Sequence, residues 1–205
     1  MLAGKQRVVK VVLIRYYIAM DEKGIYDYLE RLDNLLRAET WKAAAMHQLQ
    51  PIQLQMLDYL NRCNRYSNTP AGVTAYFQLT KGTVSQSLKA LEKRGLITRQ
   101  PDLEDGRKVH MLVTDAGQEL LDKIFPLPFL QPVENDEETN AEIVPALKNL
   151  LSTLQHQNNL ESFGVCHTCR HFQTEATNQY RCGLTHEILT SSEIDLICRE
   201  HTRTT

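Results

Sequence analysis

Apolar positions at Ile25, Tyr28, Leu29, Leu32, Leu35 and Leu36 recur with helical spacing, and the alanine-rich stretch after them extends the predicted helix to about His47. Pro51 suits the first turn of a second helix, where its missing N–H costs nothing, and Ile52, Met56, Leu57 and Leu60 form one stripe ending near Cys63. Residues 64–68 (NRYSN) read as a loop. Thr69-Pro70 then opens a short helix carrying Val73, Tyr76, Phe77 and Leu79. Thr80 caps a further helix with the stripe Val84, Leu88 and Leu91, and Gly95 is its left-handed stop. Residues 96–99 (LITR) predict a strand, residues 101–108 (PDLEDGRK) a turn, and residues 109–114 (VHMLVT) the returning strand. Thr114 or Asp115 caps a short helix that Pro126 and Pro128 stop. Residues 126–142 predict a linker or a frayed helix start. Pro145 fits a helix N-terminus, and Leu147, Leu150, Leu151 and Leu154 form a last seam. No internal repeat is visible.

Helices followed by a two-stranded hairpin and another helix give a fold class that is mainly α with a β wing, an α+β winged helix-turn-helix. Residues 49–121 resemble the multiple-antibiotic-resistance regulator (MarR) family of dimeric winged-helix transcription factors. The resemblance rests on several motifs in order: Pro51 and Gln53; Lys81-Gly82-Thr83-Val84-Ser85; Leu91-Glu92-Lys93-Arg94-Gly95-Leu96-Ile97; Asp105-x-Arg107; and Leu112-x-Thr114-x-x-Gly117. It implies a homodimer built from the terminal helices, with two recognition helices addressing half-sites of a pseudo-palindromic double-stranded DNA operator roughly 34 Å apart. It also implies a minor-groove contact for Arg107, held in place by Asp105. Gly106 stands where relatives often carry a second arginine, a departure that weakens the expected wing contact. The seams at 25–36 and 147–154 are the natural interface elements, with ordinary core packing as the alternative.

Charge sharpens this picture. The chain of 205 residues carries 23 Lys+Arg against 25 Asp+Glu, a net −2, so bulk charge gives no argument for nucleic acid. Between Thr80 and Met111, however, seven basic residues face four acidic ones, a local +3. If Val84, Leu88 and Leu91 face the core, Lys81, Thr83, Ser85, Gln86 and Lys89 turn outward. Hydroxyls and an amide near a helix N-terminus suit base edges and phosphates. Gln86 is the best candidate for reading a base. Lys81 and Lys89 suit phosphates, and Arg107 and Lys108 extend the surface onto the wing. The alternative is a solvated face.

Four of five cysteines lie near the C-terminus, spaced C-x2-C-x12-C-x15-C: Cys166, Cys169, Cys182 and Cys198. So short a segment, poor in large apolar residues, needs a cross-link to fold. A reducing compartment favours a metal over disulfides. Four thiolates bind Zn²⁺ or an iron–sulfur cluster. One C-x2-C pair followed by two separated cysteines, with Phe172 close behind the pair, resembles high-potential iron–sulfur proteins in spacing. That tips the expectation to a [4Fe–4S]-type cluster while leaving zinc open. His167, His171, His186 and His201 are alternative ligands or surface histidines. Cys63 is expected to be a buried small hydrophobe, with a redox-sensing thiol as the alternative.

No apolar run is long enough to span a membrane. Residues 8–20 (VVKVVLIRYYIAM) carry Lys10 and Arg15 inside the apolar stretch, which excludes a secretory signal and points to a cytoplasmic protein. They are expected to form a strand or short helix packed on the body, or to precede a start at Met20. The expected organisation is an N-terminal segment and dimerisation helix (1–48), a DNA-binding domain (49–125), a linker and dimerisation helix (126–160) and a metal-binding module (161–205). Hydroxyl-nucleophile elbow, phosphate-cradling glycine loop and H-E-x-x-H pair are all missing from the sequence, which argues against an enzyme. The expectation is a DNA-binding regulator whose cluster senses redox or iron state. The alternatives are the same regulator with structural zinc and a small-molecule effector, and an electron-transfer protein.

Overall fold

The computed structural model describes residues 3–103 and 105–204, with side chains from residue 24 onward apart from residue 104. It divides into two compact units, Met1–Pro51 and Ile52–Thr205. The first is one helix, α1 (Ala3–Met46, 44 residues). Residues 8–20, expected as a strand or short helix, are instead the first part of this long helix. No proline interrupts it, and Gly24 lies in open space inside it. Continuous helical hydrogen bonding overrides the strand preference of the valines. The seam from Ile25 to Leu36 stays on the surface: Tyr28 is 70% exposed and Leu35 56%.

The second unit begins with α2 (Pro51–Arg62), α3 (Pro70–Phe77) and α4 (Lys81–Lys93). Thr69 Oγ1 accepts from Gly72 N at 3.1 Å and Thr80 Oγ1 from Thr83 N at 3.2 Å, so both helices start at their expected caps. Gly95 stops α4 with φ +70°, a left-handed conformation natural to glycine. The wing is an antiparallel pair, β1 (Ile97–Pro101) and β2 (Val109–Val113), with Arg99 opposite Met111. Leu54, Met56, Leu57, Tyr59, Val73, Val84, Leu88, Leu91, Ile97 and Met111 are its fully buried core. The α4 stripe is the expected one. On α2, Leu54 and Tyr59 join the stripe and Ile52 is only half-buried.

α5 (Asp115–Ile124) is capped by Thr114, whose hydroxyl accepts from Gly117 N at 3.1 Å and donates to Gly95 O at 2.6 Å. A Cβ at Gly117 would lie 2.3 Å from Leu96 O, so glycine lets α5 close onto the wing root. A short α6 (Gln131–Glu134) leads into α7 (Glu137–Gln157).

Pro145, expected at a helix N-terminus, lies inside α7. The start is set earlier by the Asp136 cap and the acidic Glu137 and Glu138, which favour the positive end of the helix dipole. The proline removes one helical bond, but Ala141, four residues before it, is exposed, so water can solvate the freed carbonyl. α7 has no buried residue, and Val144, Leu147, Leu151 and Leu154 remain exposed. Packing of this seam inside the chain, one of the two expectations, is therefore corrected.

Residues 161–204 form a small lobe with a 3₁₀ turn at Cys166–Thr168 and an antiparallel sheet of β3 (Phe172–Ala176), β4 (Gln179–Cys182) and β5 (Ile188–Leu189). It docks on the end of α2: Asn64 N donates to Ile197 O at 2.9 Å and Ile197 N to Arg62 O at 2.8 Å. Cys63 pairs beside Ile197, and burial pushes its thiol up to about 12. Cys63 is thus a buried small side chain whose ionisation is disfavoured by burial.

Gly117→Ala is expected to lower unfolding stability by about 1–3 kcal/mol through overpacking against Leu96. Gly106→Ala, with open space around its Cβ, should be near neutral, and urea denaturation compares the two. Iodoacetamide at pH 8 should leave Cys63 unmodified in the folded protein and alkylate it once urea unfolds the chain, because its thiol ionises well above that pH. Modification of Cys63 in the native state at the rate of a free thiol would contradict the burial.

Candidate functional site

Two neighbouring surfaces of the second unit carry the residues singled out by sequence. The first is the outward side of α4 with the wing. The burial of Val84, Leu88 and Leu91 turns Lys81, Thr83, Gln86 and Lys89 to solvent, while Ser85 is half-buried. Thr83 Oγ1 lies 2.9 Å from Thr80 Oγ1, so its hydroxyl is shared with the cap. Arg107 and Lys108 are exposed on the hairpin loop. Asp105 grips Arg107 through the backbone, its Oδ1 accepting from Arg107 N at 3.1 Å. Lys108 N donates to Asp105 O at 2.8 Å, which tightens the same turn. Arg99 on β1 pairs with Glu92 on α4 at 2.8 Å, so one of the seven basic groups is engaged between the wing and α4.

The second surface is a pocket lined by all four C-terminal cysteines. The 3₁₀ turn carries Cys166 and leads to Cys169, β4 ends at Cys182, and Cys198 follows Ile197. Together with Tyr66, His171, Phe172, Leu184, Thr185, Leu189 and Glu200 they line a small open-sided pocket. Phe172 and Tyr180 stack at 5.4 Å beside it. Cys166 and Cys198 are hydrogen-bonded to each other: that bond, then burial, pushes the Cys166 thiol up, and the same bond holds Cys198 below the usual thiol range. Backbone and amide donors aim at the other electron pairs, with Asn64 Nδ2 at 3.5 Å from Cys166 Sγ and Thr202 N at 3.4 Å from Cys169 Sγ. Among the described residues, no group of three or more His, Cys, Asp or Glu is drawn close enough to hold a metal ion.

The histidines separate clearly. His171 lines the pocket. His167 pairs with Asp195 at 2.9 Å. His201 has both ring nitrogens engaged, by Ser162 at 2.6 Å and Thr168 at 3.0 Å, and burial holds it below the usual imidazole range. His186 is exposed on a left-handed turn.

Sequence reasoning missed the floor of this site, the turn at residues 64–68. Asn64, Ser67 and Asn68 are buried at 2%, 0% and 7% exposure, although the segment reads as loop chemistry. Ser67 Oγ accepts from Arg199 N at 2.8 Å, Tyr66 OH meets Thr185 Oγ1 at 3.0 Å, and Arg65 donates to Ile188 O at 2.9 Å. The signal was the density of side chains that bond backbone, with three Asn or Ser in five residues, but nothing local says what they hold.

Residues 47–108 match the MarR family model. The chain is 29% identical over 116 residues to the uncharacterized HTH-type transcriptional regulator YkoM of Bacillus subtilis, covering 50% of this chain and 72% of the relative. It is 37% identical over 82 residues to the organic hydroperoxide resistance transcriptional regulator of the same organism, covering 39% and 56%. Among solved structures, the S. aureus MepR–DNA complex is similar at 26% identity and a TM-score of 0.51, covering 62% of this chain and 97% of that one. Residues 47–108 are thus similar to the MarR family, and the relatives they match are named as transcriptional regulators.

Proposed function

We propose that the protein is a homodimeric, sequence-specific regulator that binds double-stranded DNA through α4 and the wing, and whose four C-terminal cysteines hold an iron–sulfur cluster. The observation that carries the DNA reading is the exposed row Lys81, Thr83, Gln86 and Lys89 beside Arg107 and Lys108, on a scaffold similar to a protein solved on DNA. Gln86 is the base reader, since its amide can pair with adenine through two bonds. Lys81, Lys89 and Lys108 meet phosphates, and Arg107 reaches a minor groove. The uncovered apolar faces of α1 and α7 support the dimer, because faces of that length are rarely left in water.

The donor set of the pocket fits a cluster. Four sulfurs line one apolar-walled pocket, with N–H groups aimed at two of them. A single tetrahedral zinc at about 2.3 Å from each thiolate would draw its sulfurs to about 3.8 Å of one another. The lean to a cluster comes from the C-x2-C-x12-C-x15-C spacing, and the four sulfurs lining one pocket are the donor set that either guest would use. Cys166, Cys169, Cys182 and Cys198 would hold it, and a bound cluster supplies one-electron redox chemistry. The Phe172–Tyr180 stack and Leu189 keep water from the inner side of the pocket.

An operator selected from random duplexes tests the DNA reading. Gln86→Ala should cost about 1–3 kcal/mol of affinity and relax preference at one base pair in each half-site. Lys89→Ala should weaken all sequences alike and reduce the salt slope by about 1. A protein that selects no sequence would refute it. For the cysteines, anaerobically purified protein should absorb near ~400 nm and contain iron and sulfide, and Cys198→Ser should lose both. One zinc per chain, without iron, would make the site a staple and move the effector elsewhere.

A further inference from the structure

A continuous hydrogen-bonded chain joins the cysteine pocket to the wing tip. At its origin, Asn64 Nδ2 donates to Cys166 Sγ at 3.5 Å. The same amide's Oδ1 accepts from Ser67 Oγ at 2.7 Å and from Tyr66 N at 3.2 Å. Ser67 Oγ in turn accepts from the backbone N–H of Arg199, the residue after Cys198, at 2.8 Å. The turn is therefore held from both sides of the pocket. It passes on through its own backbone, with Asn68 N donating to Asn64 O at 3.1 Å.

Asn68 then grips the wing twice. Its carbonyl accepts from Met111 N at 2.7 Å, and its Oδ1 meets His110 Nδ1 at 2.6 Å. His110 Nε2 meets Asp102 Oδ2 at 2.8 Å. Asp102 Oδ1 accepts from Asp105 N at 2.7 Å, and Asp105 Oδ1 accepts from Arg107 N at 3.1 Å. Every link from Asn64 to His110 is buried or half-buried. A group that loses its partner there cannot turn to bulk water at no cost.

We infer that the 64–68 turn transmits the ligand state of the cysteine pocket to the wing, with Asn64 as the positioning residue that senses it and His110 as the strut that delivers it to the loop carrying Arg107. The inference rests on the reading that the cysteines hold a metal group. A metal-bound thiolate is a permanent acceptor facing Asn64 Nδ2. Without a guest, only its own rotamer and the bond to Cys198 keep that sulfur opposite the amide. Loading the pocket thus fixes the Asn64 amide, and with it Ser67, Asn68 and the wing loop. Emptying it releases the amide and loosens the loop. The two states then differ in DNA affinity, as a switch requires. The loaded state is the tighter binder, because its Arg107 is already placed. Geometric continuity shows a route, and coupling has to be measured along it.

The test compares protein purified without oxygen with the same protein stripped by a chelator. Stripping should speed hydrogen exchange at residues 109–113 and weaken operator binding on the order of 5–150-fold, the usual range of coupling between two sites. His110→Ala removes the strut without touching a cysteine or α4. It should keep the iron and sulfide content of the parent while the loaded-to-stripped affinity ratio falls to within about twofold. Asn68→Ser serves as a second cut should His110→Ala unfold. Loaded protein whose wing exchange and DNA affinity ignore stripping would overturn the inference and leave the cluster intact. So would a His110→Ala protein that keeps the full ratio. Protein that never carries iron, sulfide or zinc would overturn the cluster reading and this inference together.

Discussion

The second unit depends on the satisfaction of a few buried polar groups at the turn between α2 and α3. Asn64, Ser67 and Asn68 have almost no exposure, and each finds partners: the backbone of Arg199, the wing at Met111 and His110, and a cysteine sulfur. An unpaired buried polar group costs about 1–3 kcal/mol. The helices, the wing and the lobe are therefore tied to one arrangement at a single place, where hydrophobic contact alone would tolerate sliding. Gly72 belongs to this constraint as well, since a Cβ there would stand 2.2 Å from Ser67 O.

This joint changes how the C-terminal lobe should be pictured. Few large apolar residues support it; its small buried cluster is Cys166, Leu189 and Cys198, with Tyr66 from the turn packed against them. The lobe thus borrows an aromatic ring and two lengths of backbone from the winged-helix domain. Arg203 adds a second attachment, donating to Ser152 O and Gln155 Oε1 on α7. What looks in sequence like an appendix is, in structure, a third side of the winged domain.

The parts legible in sequence are those governed by local rules. Thr69, Thr80 and Thr114 mark helix starts, Gly95 a stop, and the stripe Val84–Leu88–Leu91 a buried face; all act within a few residues of themselves. The family resemblance added what those rules lack, a meaning for Lys81–Ser85 and Arg107. The site was legible only as a set of cysteines. Its floor was hidden because residues 64–68 find partners at 110–111 and 185–199, and no local pattern announces a contact across so many residues. Pro145 misled for the opposite reason. A local rule was applied where exposure to water had relaxed it.

The bond between Ser67 and Arg199 spans 132 positions. Contacts so distant must overcome the entropy of closing a long loop before they return any stability, whereas the helices and the 97–113 hairpin close over short distances. Short loop closures favour the winged-helix core, while the lobe's bonds to the 64–68 turn carry the larger closure cost. A guest that needs all four sulfurs would therefore favour the same closure that locks the turn.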